Sequence, residues 1–231
     1  MTDTRINRTG AETRRRLIKI AERLFAAEGV DSVSIRAVNA AAGVGAAAIH
    51  YHFGSKDKLV EAVVREHGER VTKEILLAVE QLREQIVPPT ARQAVDLIAV
   101  PHMALLDRQP VRGLRWLKLI AQLTLANDHL LDQMSTDIDA AIFEQVKRAF
   151  PEVPEPRLSL RWNVASRTFI QMLSQVDHWM AHEGLKGAEA QARYRNELVE
   201  FISGGLAAIR EDPLSPSTST IARNGRAAST V

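Results

Sequence analysis

SIRAVNAAAGVGAAAIHYHFGSKDKL, residues 34–59, predicts two short helices separated by a glycine break, with a third helix starting directly behind them. Ser34 carries a hydroxyl that can cap the first helix, and Ile35, Val38 and Ala42 recur at helical spacing, so one face can be buried. Gly43 ends that helix, because glycine reaches the left-handed backbone of a helix C-terminus at low steric cost. The second helix is expected to begin near Gly45 and run to Phe53. Ser55 then reads as an N-cap, with Asp57 complementing the positive end of the helix that follows.

The second helix is small at its start and aromatic at its end, which suits an element pressed into a DNA major groove. Recognition helices present their N-terminal residues to base edges, and Ala46 and Ala47 would let the backbone approach closely while their methyls meet thymine methyls. The expected DNA contacts are Ser34, Arg36, Ala46, Ala47, His50, Tyr51, His52 and Lys56. Tyr51, His52 and Lys56 fall to phosphates; Ala46, Ala47 and His50 lie nearest the bases, with Arg36 reaching a base edge from the first helix.

IHYHFGSKDKL, residues 49–59, resembles the TetR family of one-component transcriptional regulators, whose members carry a run of Tyr, His and Phe before a Gly-Ser-Lys helix start. The likeness covers about the first sixty residues; beyond them the chain is similar only in length and helical character. Gly45, Ala46 and His50 stand where many members have Ser or Lys, or Tyr or Asn, which alters the operator sequence implied but not the fold. The resemblance implies a homodimer on a palindromic operator, a repressor released by a small-molecule effector. An effector-independent regulator or activator with the same head is the alternative, with a helical enzyme behind it.

The rest of the chain fits that organisation. Its 231 residues, 45% hydrophobic, suffice for a small head and a larger body with its own core. The net charge is only +2, yet residues 1–58 hold ten Lys and Arg against six Asp and Glu, while residues 59–231 hold twenty against twenty-two. Basic charge therefore gathers on the head, densest at Arg5, Arg8, Arg14, Arg15, Arg16 and Lys19, where it can neutralise phosphates or simply be solvated. The polar N-terminus and the lack of a long apolar run argue against a signal peptide or membrane span. The absence of cysteine fits the cytoplasm without proving it.

An all-α protein is expected throughout, with a head at 1–57, a helical body at 58–212 and a disordered Ser/Thr/Pro-rich tail at 213–231. Thr9 and Glu12 have capping-box spacing and predict the start of the first helix; Gly29 predicts its end. Further helices are expected at 55–85, interrupted in pattern by Gly68, at 90–109 with a kink or break at Pro101, and at 110–127, 128–150, 156–184 and 188–211. Leu158, Trp162, Ala165, Phe169, Met172, Val176 and Trp179 repeat at 4-3 spacing, a seam suited to another helix, with a second stripe at Leu160, Val164, Leu173 and Met180. Leu158, Trp162, Ala165 and Phe169, with Leu198, Phe201, Ile202 and Gly205 of the last helix, are the expected dimer surface; the same residues also suit a monomer core.

Gly43 to Ala48 match G-x-G-x-x-A, but a dinucleotide site needs a strand before the glycines, and a helix precedes these. His178 and His182, four apart beside Asp177, lack the H-E-x-x-H pattern and a third ligand, so no metal or cofactor is expected. No catalytic grouping is visible, and the chain does not read as an enzyme. His102, Met103, Arg115, Trp116, Phe143, Trp162, Phe169 and Met172 are the candidate lining of an effector cavity, with Arg115 and His102 as polar anchors.

Overall fold

The computed structural model describes residues 3–126 and 129–210, with residues 3–9 and 132 as backbone only. The expected tail at 213–231 and the side chains of Arg5 and Arg8 lie outside the described residues. Among the described residues there are ten α-helices, one short 3-10 helix and no strand. The helices are α1 (Asp3–Glu28), α2 (Ile35–Ala41), α3 (Ala48–Phe53), α4 (Lys56–Arg83), α5 (Ala91–Arg108), α6 (Pro110–Leu125), α7 (His129–Ala149), α8 (Glu155–Leu173), α9 (Val176–His182) and α10 (Ala188–Ala207).

The head closes over the apolar faces of α1, α2 and α3. Leu17, Ala21 and Phe25 of α1 meet Val38 and Ile49, and burying each large side chain contributes about 1.5–3 kcal/mol. This core also takes Leu59, Val60 and Val63 from α4 and, from the body, Leu119 and Leu123 of α6. Head and body are therefore joined by shared packing as well as by the chain.

The second core is built from α4 to α10. Thr90 opens α5 with a capping box, its hydroxyl accepting from the Gln93 amide while the Gln93 side chain accepts from the Thr90 amide. Gly113 lets α6 pass tightly over the end of α5: a Cβ there would lie 3.1 Å from the Leu105 carbonyl oxygen. At the far end of α4, Arg148 of α7 donates to the carbonyls of Leu82 and Gln85 at 2.8 and 2.6 Å, tying α7 to the end of that helix.

Several expectations need correction. The first helix does not start at a Thr9 cap; it runs from Asp3, with Thr9 inside it. Helix α4 continues through Gly68, and α5 is not broken at the buried Pro101, whose neighbours Leu97, Ile98 and Leu105 anchor both halves in one core. The single helix expected at 156–184 is two, α8 and α9, parted at Ser174 and Gln175. Accordingly the buried row follows Leu158, Trp162, Ala165, Phe169 and Leu173, and Met172 drops to the margin.

Candidate functional site

The head presents the stretch that the sequence singled out. Ser34 caps α2, its Oγ accepting from the Ala37 amide at 3.0 Å, and Gly43 takes φ +65° directly behind the helix. Helix α3 begins at Ala48 instead of near Gly45, so Gly45, Ala46 and Ala47 form an exposed turn. The sequence did not reveal what holds this turn. Asn39, only 2% exposed, donates from Nδ2 to the Ala46 carbonyl at 2.7 Å, while its main-chain carbonyl accepts from the Val44 amide at 3.1 Å. An asparagine on the buried face of a short helix was the available signal.

Behind that turn, Ile49 is fully buried and fixes the rotation of α3. His50 and Tyr51 consequently face outward, Tyr51 with 83% of its surface exposed. Nδ1 of His50 stands 3.0 Å from the Gly54 carbonyl; since a carbonyl only accepts, that nitrogen donates, and Nε2 is left free of that contact. His52 is half-buried, edge-on to Tyr51 at 4.9 Å, and the Arg14 guanidinium lies 4.9 Å over the Phe53 ring, bringing a cation of α1 beside α3. Ser55 caps α4 by accepting from the Lys58 amide at 3.2 Å. The Lys56 ammonium reaches the Asp31 carbonyl at 3.4 Å, a long contact that leaves donors free. Ser34, Arg36, Ala46, Ala47, His50 and Tyr51 are exposed, and Lys56 is half-buried.

A second feature lies between the front half of α4 and helices α6, α7 and α8: a cavity of about 1320 Å³. Of the expected lining, His102, Trp116, Phe143 and Trp162 are present, joined by Ile98, Ile120, Met134, Asn163 and Arg167. Met103, Arg115, Phe169 and Met172 are not part of the wall; Phe169 is fully enclosed in the body core, where Met103 and Met172 also pack. Helical periodicity marks a buried face but cannot tell filled interior from the wall of a void.

Two sets of contacts link this cavity to the head. Trp116 donates from Nε1 to the Val64 carbonyl of α4 at 2.8 Å, and its ring stands between His67 at 6.4 Å and His102 at 6.0 Å. Beside it, Glu22 of α1 is fully enclosed, held by Arg112 of α6 through two hydrogen bonds of 2.7 and 3.2 Å and by His67 of α4 at 3.3 Å. Burial alone would raise the Glu22 carboxyl, but the hydrogen bonds and charges of His67 and Arg112 outweigh it and hold the group below the usual carboxylate range. Arg112 also reaches Glu66 at 3.3 Å.

The expected dimer surface divides. Leu158, Trp162, Ala165, Phe169, Leu198 and Ile202 face the interior of their own subunit and are not available to a partner. Phe201, 75% exposed, and Gly205 lie outside, as do Leu160 and Val164 of the second stripe on α8. His178 and His182 are exposed, each edge-on to Trp179 with ring centres 5.7 and 6.0 Å away, and the described residues contain no group of three His, Cys, Asp or Glu able to hold a metal. No helix among the described residues is long and apolar enough to cross a membrane.

An exposed helix-turn-helix set on a helical body with an open cavity in its side defines a DNA-binding regulator of two helical parts. The family model for bacterial regulatory proteins of the tetR family matches residues 17–63, and that for the tetracyclin repressor-like C-terminal domain matches residues 96–205. The chain belongs to the TetR family of transcriptional regulators. Among solved structures, a TetR-family transcription regulator from Shewanella sp. PV-4 is 18% identical, with a TM-score of 0.55 over 83% of this chain and 96% of that one. A TetR-family regulator from Rhodococcus sp. is 16% identical, with a TM-score of 0.49 over 85% of this chain and 99% of that one. The search of curated proteins finds no match.

Proposed function

We propose that this protein is a repressor that binds a palindromic operator as a homodimer and is released when a small molecule occupies the body cavity. Such a protein works beside the chromosome, in the cytoplasm. The exposed Gly45–Ala47 turn and His50 meet base edges, Arg36 reaches a base from α2, and Ser34, Tyr51, His52 and Lys56 hold the phosphate backbone. The two subunits join through the apolar residues left uncovered on α8 and α10, namely Leu160, Val164 and Phe201, with the exposed Gly204 and Gly205 allowing close backbone approach.

The observation that carries the regulatory part is the position of Trp116. It lines the cavity and donates to the backbone of α4, the helix whose first turn adjoins the recognition element. A ligand that displaces Trp116 therefore acts on α4 directly, and through α6 on the Arg112–Glu22 pair that ties α1 to the body. Two recognition helices fit one face of B-DNA when about 34–36 Å apart, so a body shape favouring another separation weakens operator binding. Reciprocity requires the operator to weaken ligand binding equally.

The test is selection of bound duplexes from a random pool with the full chain, followed by a compound panel screened for release of the selected duplex. An inverted repeat bound by two chains, and a compound that both releases it and raises the melting temperature of the free protein, support the reading. Enrichment of no sequence contradicts the DNA part. A panel that stabilises the protein without moving the duplex contradicts the regulatory part.

A further inference from the structure

Inside the cavity, one polar atom is prepared for a partner. His102 of α5 is 7% exposed, and its Nδ1 lies 2.6 Å from the Ile98 carbonyl one turn earlier. A carbonyl has no proton to give, so Nδ1 carries the hydrogen and Nε2 offers a bare lone pair. That nitrogen has no hydrogen-bond partner among the described residues, and the ring belongs to the cavity wall, tilted 30° against Trp116. Burial lowers the basicity of the ring, so at neutral pH it stays uncharged and Nε2 remains an acceptor. An acceptor that faces the cavity and is left unpaired when a ligand covers it is costly, which makes it a point of selection for whatever fills the space.

The surroundings narrow the chemistry further. Against His102 stand Ile98 and Trp116, and the apolar part of the cavity lining also includes Ile142, Phe143 and Trp162. Among the lining charges on the front of α4, Glu61 is paired with Lys58 at 2.7 Å and with Arg65 at 3.0 Å. The lining Arg167 is an exposed residue that already donates to the Thr124 carbonyl at 3.0 Å. An ionised group brought to the buried, uncharged His102 ring would lose water and gain no counter-charge from that ring.

We propose that the cavity takes an uncharged, predominantly apolar molecule with a hydroxyl or N–H group, which donates its hydrogen to Nε2 of His102 while a flat apolar part covers Trp116. This rests on the reading of the cavity as the effector site and names the chemical class of that effector. A cation or carboxylate is excluded at the His102 end; a compound of the same shape that lacks the donor leaves Nε2 unpaired and binds more weakly.

Fluorescence titration of the full chain with three probes of one shape tests this: 1-hydroxypyrene, 1-methoxypyrene and pyrene-1-carboxylate. The hydroxyl probe should bind about tenfold more tightly than either other probe. In His102→Phe, which keeps an aromatic ring against Trp116 but has no acceptor, the hydroxyl and methoxy probes should bind within about twofold of each other. If His102→Phe does not fold, the ranking of the three probes on the native chain decides alone. Tightest binding of the carboxylate, with loss in Arg167→Met, would overturn the proposal in favour of an anionic effector. Equal binding of hydroxyl and methoxy probes to the native chain, or binding of none, would overturn it too. None of these outcomes touches the effector reading itself, which stands or falls on release of the operator in the compound panel.

Discussion

Arg112 of α6 grips Glu22 of α1 in two-point fashion, Nη2 to Oε2 at 2.7 Å and Nε to Oε1 at 3.2 Å, across ninety residues of sequence. The carboxylate is enclosed, whereas the guanidinium is about a quarter exposed at 27%. Their union is the polar counterpart of the apolar packing of Leu119 and Leu123 into the head.

Arg112→Ala should destabilise the protein by about 2–3 kcal/mol, less than the ~3–5 kcal/mol of a fully enclosed pair because the cation keeps some water and His67 remains. For a chain of this size that lowers the melting temperature by about 2–4 °C per kcal/mol, read by calorimetry. The pH dependence has a definite sign. The Glu22 carboxyl is held below its unfolded value, so its contribution is fully present above about pH 4.3 and is lost as pH falls through the lower folded value. Acid unfolding of Glu22→Gln should lack that component, and identical acid limbs for the two proteins would rule it out.

Asn39→Ala removes the hydrogen bond that fixes the Ala46 carbonyl. Since that carbonyl can turn to water, the expected stability loss is only about 1 kcal/mol. Operator affinity should fall about tenfold, the lower range for one specific base contact, because the exposed turn is no longer held in register. Parallel melting and duplex-binding curves check the split; a large stability loss with unchanged affinity would contradict it.

Lys56→Ala and His50→Ala should differ in kind. Loss of the Lys56 ammonium should weaken selected and random duplexes alike and reduce the slope of log affinity against log salt by about one. Loss of the His50 imidazole should instead flatten the base preference at one half-site position, by about 1–3 kcal/mol of discrimination. Salt titrations and a repeated duplex selection separate the two outcomes.

Trp116→Phe keeps a ring against His102 and beside Gly68, where an added Cβ would touch the Trp116 ring at 3.5 Å, but it deletes the donor to Val64. Duplex affinity should stay near that of the native protein, while the releasing compound should become about fivefold less effective, the low end of ordinary coupling between sites. Release that is unaltered would remove Trp116 from the route.

Much of the head was legible in the sequence because its punctuation is local: Ser34 and Ser55 cap, and Gly43 turns, each for reasons contained within a few residues. The start of α3 was not, since Ala46 and Ala47 favour helix by composition, whereas the side chain of Asn39 and the Ala48 amide, bonded to the Gly45 carbonyl, hold the stretch in a turn. In the body, the order of helices followed from apolar spacing, but the break at Ser174 and Gln175 did not, because the apolar pattern continues across it into Val176 and Met180. Periodicity likewise located the buried face of α8 without saying what buries it, and Leu158, Ala165 and Phe169 proved to fill their own subunit. The Glu22–Arg112 pair has no sequence signature, as its members lie in different parts of the protein.

The most direct test of the account is the distance between the two heads. The chain contains no cysteine, so Ala41→Cys, on the exposed end of α2, places a single spin label on each subunit. The expected result is a dipolar distance that narrows to one population on the selected duplex and moves to another when the releasing compound is added. Absence of any dipolar coupling at micromolar protein, or one distance shared by the operator-bound and compound-bound states, would contradict the claim that the cavity controls DNA binding through the separation of paired heads.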